Sequence, residues 1–434
     1  MTATAAPGAA HRIVTALETT LGARLPVRVR AWDGSEAGPT EAPLVVVRSR
    51  RALRRLLWQP GELGLAQAYV TGDLNIEGDL ADALRGLWAA AREHGPHTPR
   101  LGIADRARAV GTALSLGAVG PRPAPPAAQA RLRGGLHSKA RDRAAISHHY
   151  DLSNAFYRLL LDETMAYSCG YWASEDPDFA PADAQRAKLE LICRKLALVP
   201  GARLLDIGCG WGSLTLYAAE RHKAQVTAVT LAREQAAHVR EQVRERGLEN
   251  QVDVVCQDYR DIEGGGYDAV ATVEMGEHVG DTEYPAFAAA LHRLVRPLGR
   301  VLVQQMSRGR TAPGGGAFIE AYIAPDMHMR PVGETVVLLE AAGLEVRSVE
   351  SLREHYVRTV AAWHRTLEER WDDAVQLVGE ETARVWRLYL VGGALAFEER
   401  RMGVDQILGV RPTADGRGAM PATPADWYAG LDRL

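Results

Sequence analysis

Apolar residues recur along this chain with two different periods, and the change of period divides it. Through roughly residues 10 to 95, short strand-like runs such as LPVRVRAW and APLVVVRS are interleaved with helical patterns such as RALRRLLW and LADALRGLWAAAREH. This texture reads as a small α+β domain. From about residue 140, apolar runs at 203–207, 225–230, 252–256, 268–273 and 299–305 alternate with helical stretches, the order that builds a doubly wound, mostly parallel sheet. The chain from Val332 to about Leu395 is predicted to be largely helical around one strand-like run, LEVRSVESL, and the tail ADGRGAMPATPADWY reads as a surface segment. Between the two regions lies GAVGPRPAPPAAQARLRGG, rich in Pro, Ala and Gly, which reads as a linker or lid. The expected division is therefore an N-terminal α+β domain over 1–98, a basic linker over 99–140 and a larger α/β domain over 141–434.

Composition agrees with two cored domains: 434 residues, a formal net charge of −3 and 47% apolar residues. No apolar run is long enough to cross a bilayer. The start, MTATAAPGAAHR, lacks a basic segment followed by an apolar one, so no secretory signal is expected and the reading is cytoplasmic. Cys169, Cys193, Cys209 and Cys256 are scattered without C-x-x-C spacing, which argues for reduced thiols rather than zinc or a disulfide framework. Charge is uneven, however. Arg100, Arg106, Arg108, Arg122, Arg131, Arg133, Lys139, Arg141 and Arg143 form a basic stretch, and RSRRALRRLLW adds a basic amphipathic turn. Such a surface suits phosphate groups; a solvated linker is the plainer reading. Nucleic acid is disfavoured, since no basic sheet studded with aromatics is present.

Candidate chemistry begins at LLDIGCGWG, residues 204–212: an apolar strand, an acid, and a glycine turn opening a helix. Glycines there let the backbone approach a nucleotide-like ligand closely. The spacing is G-x-G-x-G, whereas the dinucleotide fingerprint needs G-x-G-x-x-G and an acid about 20 residues on. Thr230 ends the second strand where that acid would stand. No lysine in the turn could reach a triphosphate. S-adenosylmethionine (SAM) is the ligand left, although the turn alone also fits an ordinary strand-to-helix connection.

Three further segments bracket that turn: HHYDLSNAFYRLLLDETMAYSCGYW at 148–172, VEMGEHVG at 273–280 and REHYVRTVAAW at 353–363. Together they resemble the cyclopropane fatty acid synthase family, which includes mycolic acid methyltransferases and enzymes making methylene-branched fatty acids. ELGLAQAYVTGDLNIEGDL at 62–80 is similar to the N-terminal domain of the long members, and PDMHMRPVGETV at 325–336 to the actinobacterial branch.

The resemblance implies a class I SAM methyltransferase fold, Rossmann-like with a doubly wound seven-stranded sheet, beside the smaller N-terminal α+β domain. It implies transfer of the SAM methyl to a cis double bond of an unsaturated phospholipid acyl chain, giving a cyclopropane. An alkene is a poor nucleophile, so methyl and π bond must be held in line and water kept out. A carbocation results, and the placement of the base that then removes a proton decides between a cyclopropane and a methylene or methyl branch. The implied base is a bicarbonate ion held by Cys169, Glu277 and Tyr356, with His278 shaping the same corner. Cys169 is expected to act as a pocket wall, not as an attacking thiolate. The implied SAM residues are Tyr150, Tyr167, Ser168, Asp206, Gly208, Gly210, Trp211, Gly212, Thr230, Gln235, Asp258 and Tyr259; no metal is expected. Aromatic faces near the sulfonium suit its positive charge. The implied substrate partner is phospholipid, and a reductase acting on the product is a further candidate; the N-terminal domain shows no catalytic motif and is expected to dock peripherally on the inner face of the membrane or to mediate a homodimer.

Two departures stand out. Where the family carries histidine at the end of the fifth strand, this chain reads LVQQMSRG, which puts Gln304 there. An amide can donate to an anion but cannot carry a charge or shuttle a proton. Bicarbonate is thereby put in question and a branched product brought forward. The final helix reads AFEERRMGVDQ, with Glu398 after Phe397 where arginine is usual; Gln406 fits, and no catalytic role is expected there. A methyltransferase with an O, N or S acceptor would share the fold without needing E-H-V-G and HYVRT. A lipid-binding protein with a decayed SAM pocket would have lost the glycines or the acid.

Overall fold

The computed structural model describes residues 7–93, 103–130, 141, 154–309 and 314–434. They fall into two compact units, one of residues 1–129 with 379–395 and the other of 130–378 with 396–434.

The first unit carries a four-stranded sheet of β1 (Arg28–Ala31), β2 (Glu36–Ala37), β3 (Leu44–Val47) and β4 (Leu74–Glu77), in the order β2-β1-β3-β4. Its core takes Ile13 and Val14 from the helix Ala9–Leu21, with Val29, Val47, Ala52 and Leu116. Two pieces differ from expectation. The helix Ile103–Ser115 and the turn after it belong to this unit, although they were read as linker. The turn carries no hydrophobic period, yet its carbonyls are bonded: Arg54 Nε donates to Ala118 O and Trp58 Nε1 to Gly120 O. Residues 379–395 also belong here, and Val391 and Leu395 pack with Tyr69 and Leu80. Part of RSRRALRRLLW is likewise internal, since Arg55 is buried against Asp73. Much of the basic stretch from Arg100 to Arg143 lies outside the described residues.

The second unit is built on a seven-stranded sheet, order β10-β11-β9-β8-β5-β6-β7. Strands β5 (Arg203–Ile207), β6 (Gln225–Thr230), β7 (Val252–Cys256), β8 (Tyr267–Val273) and β9 (Val295–Ser307) run parallel. They lie where the apolar runs place them. Both faces are covered, which explains why these strands read as continuous apolar runs rather than alternating ones. β10 (Glu345–Ser351) and β11 (Gly403–Val410) complete the sheet antiparallel to their neighbours. β11 was missed because VDQILGV follows a long helix with no turn chemistry between them beyond Gly403. The tail is not wholly a surface segment, because Trp427 and Leu431 are buried in the core beside Leu196 and Leu204. Among the described residues no helix is long and apolar enough to cross a membrane, and no group of metal-ligating side chains occurs.

Candidate active site

The strand ends of β5, β6 and β8 open into a cleft lined by Tyr167, Ser168, Asp206, Gly208, Gly210, Trp211, Thr230, Gln235, Asp258, Tyr259, Glu274 and His278, among others. In the turn at its floor, Gly208, which lines the cleft, and Gly212, behind it, have φ of +82° and +86°, a region costly for side-chain-bearing residues. A Cβ on Gly208 would lie 3.1 Å from the Met275 side chain, and one on Gly212 3.0 Å from Val239. Gly212 therefore serves the fold of the turn, capping the helix Ser213–His222, and does not itself line the cleft. Asp206 is buried and accepts from Thr215 Oγ1 at 2.7 Å; burial pushes its carboxyl up to about 6. Thr230 Oγ1 donates to Gln235 Oε1 at 2.9 Å, so a hydroxyl and an amide stand at the end of β6. Asp258 is clamped by the Arg260 guanidinium at 2.6 Å. Over the cleft, Trp211 packs on Tyr157 with centroids 4.3 Å apart, and Tyr167 lies 5.3 Å from Trp363. Tyr150 lies outside the described residues.

The carboxylate meeting the expected anion holders is not Glu277 but Glu274, three residues earlier. Its Oε1 accepts from the Cys169 backbone N–H at 2.7 Å and from Gln304 Nε2 at 2.9 Å, and its Oε2 accepts from the Tyr356 hydroxyl at 2.5 Å. Burial leaves the Glu274 carboxyl above its ordinary value, and these donors and the nearby Lys188 ammonium offset part of that rise. Glu274 has φ of +53°, unusual for a residue other than glycine and a form of strain that concentrates at functional sites. It directly follows β8, and its backbone N–H donates to Gln304 O at 2.6 Å, so the neighbouring strand holds it in place.

Glu277 sits on the short turn Gly276–His278, buried, with Oε2 lacking a hydrogen-bond partner. Burial, then the Glu274 charge, pushes its carboxyl up to about 8, so it is neutral at pH 7. The carboxylate hydrogen-bonded to Cys169 and Tyr356 is therefore that of Glu274. Periodicity could not separate two acids on one strand-to-turn segment. One signal was present, a glutamate at the end of an apolar strand, pointing at the cleft as Asp206 does. The Cys169 thiol is buried and faces the carbonyls of Gly170 and Leu352, and burial raises it well above its ordinary value. It is a wall, and only its backbone reaches the site. Lys188, which sequence reasoning missed, is a buried ammonium on the cleft wall donating to Ser168 Oγ at 2.9 Å.

A glycine cradle under a parallel sheet, with polar groups at the ends of the next two strands, defines a class I SAM-dependent methyltransferase. A ligand of SAM's kind needs that bare backbone, since a Cβ on Gly208 would press on the Met275 side chain lining the same cleft. Residues 137–407 match the model of the mycolic acid cyclopropane synthetase family, and the chain belongs to that family. A probable fatty acid methyltransferase of Mycobacterium tuberculosis is 37% identical over 416 residues, 93% of this chain and 95% of that one. A tuberculostearic acid methyltransferase of the same organism is 31% identical over 398 residues, 88% and 87% of the two chains. Among solved structures, a mycolic acid cyclopropane synthase complexed with S-adenosylhomocysteine and CTAB superposes with a TM-score of 0.58 at 31% identity, covering 62% of this chain and 97% of that one. The protein is a SAM-dependent methyltransferase of the lipid-modifying, cyclopropane synthase type.

Proposed function

We propose that the chain methylates the cis double bond of an unsaturated phospholipid acyl chain and that Glu274 is the base, standing where free bicarbonate was expected. The observation that carries this reading is the triple grip on Glu274 by Cys169, Gln304 and Tyr356. Cys169 and Tyr356 are groups expected to hold an anion, Gln304 stands where the family carries histidine, and the carboxylate all three grip belongs to the chain.

SAM, when bound, supplies an electrophilic methyl group. The alkene's π pair forms the new C–CH₃ bond, leaving a carbocation on the other alkene carbon, while the sulfur keeps the old C–S pair. Asp206, Thr230, Gln235 and Asp258 would hold the cofactor, and Tyr167, Trp211 and Tyr157 would keep water from the cation. Glu274 then accepts a proton from the added methyl. Loss of that proton with ring closure gives a cyclopropane. If hydride first migrates from the methylated carbon to the cationic one, loss of a methyl proton gives a methylene branch.

The second route is favoured here. A carboxylate fixed beside β8 by three donors cannot follow the cation as a free anion can, which gives the hydride shift time to occur. The reductase partner expected for a methyl-branched end product belongs with this outcome, and membrane-surface action and a homodimer remain part of the proposal. Incubation with SAM and vesicles of oleoyl phospholipid tests it: the acyl chain gains one CH₂ unit and NMR shows vinylidene protons. Cyclopropane protons would reject the branched product alone; an unchanged lipid despite SAM binding would reject the acyl substrate.

A further inference from the structure

Behind Glu274 the sheet carries a row of buried polar side chains that methyl transfer does not obviously use. Gln304 on β9 and Gln406 on β11 are cross-strand partners, both essentially inaccessible to solvent. Gln406 Nε2 donates to Gln304 Oε1 at 2.8 Å, and Gln406 Oε1 accepts from Lys195 Nζ at 2.8 Å. Lys195 ends the helix Pro181–Lys195, is itself buried, and also donates to Glu350 on β10. The row runs Glu350, Lys195, Gln406, Gln304, Glu274.

Its polarity is forced by its ends. An ammonium only donates and a carboxylate only accepts. Gln406 must therefore turn its oxygen to Lys195 and its NH₂ to Gln304. Gln304 must in turn offer its oxygen to Gln406 and its NH₂ to Glu274. Neither amide can turn over alone without setting like groups against each other inside the sheet, where an unmatched polar contact is costly.

We propose that Lys195 and Gln406 are positioning residues that lock the Gln304 amide with its NH₂ toward Glu274 and so keep that base ionised. The proposal rests on the reading of Glu274 as the base. Neither residue touches the cleft, and the effect passes through hydrogen-bond direction; amides do not relay the proton itself. The groups facing Lys195 from the elements around it are Glu350, the Tyr428 ring at 5.8 Å, and Arg300, whose Nη1 donates to the Lys195 carbonyl. Glu350 also accepts from the Tyr428 hydroxyl, and Tyr171, stacked on His355, lies against the same carboxylate.

The test is the pH profile of kcat in the full chain, using oleoyl phospholipid vesicles and saturating SAM. Lys195→Met frees Gln406 to turn. Gln406→Glu keeps a partner for Lys195 but draws the Gln304 NH₂ away from Glu274, so the Gln304 oxygen faces the base. Both variants should move the acid limb up, by about one pH unit for Lys195→Met and further for Gln406→Glu, with SAM Kd unchanged. A merely structural role would lower kcat at every pH without moving the limb, and that result in a folded Gln406→Glu protein would overturn the proposal. Gln406→Glu decides the question alone if Lys195→Met fails to fold. Glu274→Gln separates the two ideas: activity in that variant removes the base itself, whereas an inactive Glu274→Gln with an unmoved acid limb removes only the positioning.

Discussion

The two halves of the cleft are assembled in opposite ways. The cofactor half comes from consecutive residues: Asp206, Gly208 and Gly210 follow one another through a single strand and turn, and Thr230 and Gln235 lie five residues apart. The base half is gathered from Cys169, Glu274, Gln304, Tyr356 and, behind them, Gln406 and Lys195, each on a different segment. Local backbone geometry builds the first; register between distant strands builds the second. The contrast predicts that the cofactor half fails through strain and the base half through loss of charge and hydrogen bonds.

The largest expected effect lies on the base side. Glu274→Gln should lower kcat by about 10²- to 10⁴-fold, the usual worth of a positioned base, with SAM affinity kept. Single-turnover lipid analysis beside calorimetric SAM binding checks it, and a loss confined to SAM binding would erase the distinction between the halves.

Next is the neighbouring acid, whose folded carboxyl is raised to about 8 from 4.5. The native state therefore holds a proton that the unfolded chain releases, so this group's contribution is full below about pH 4.5 and is lost as pH rises through 8. Glu277→Gln should then gain on wild type with rising pH, by roughly a few kcal/mol above pH 8. Urea unfolding at several pH values reads this out; a constant difference would mean that Glu277 is not held neutral.

On the cofactor side, Gly208→Ala sets a Cβ against Met275 at positive φ. A strain of about 1–2 kcal/mol should weaken SAM binding roughly 10-fold while leaving the base's pH limb in place. Isothermal titration and the kcat profile together test it. The smallest effect is expected from Tyr356→Phe, which removes one of the donors on Glu274. The acid limb should rise by about one pH unit or less; a fall would contradict the donor role.

The same contrast explains what could be read from the sequence. The parallel strands and the glycine turn were legible because period and local spacing encode them, whereas the residues expected around the cofactor came with the resemblance. The places of Cys169 and Tyr356 in the site were legible only through resemblance, and Gln304 only as a departure from it; that Glu274 joins all three was not legible. Glu274 and Glu277 sit three residues apart, and only the pairing of Val273 with Gln304 across β8 and β9 fixes which acid reaches the site. Gln406 carries no expected role because Glu398 follows Phe397 where the resemblance calls for arginine, although Gln406 itself fits. The first unit was misjudged at both ends for a related reason: side chains of one helix bond a turn that has no pattern of its own, and a helix far along the chain returns to complete the core.

The central claim is that the base is part of the chain, and Glu274→Gly tests it most directly, because glycine suits φ of +53° and leaves the other holders in place. In bicarbonate-free buffer the variant should be inactive and wild type fully active, and added bicarbonate should restore the variant saturably. A wild-type enzyme that needs added bicarbonate, or a Glu274→Gly variant active without it, would contradict the account.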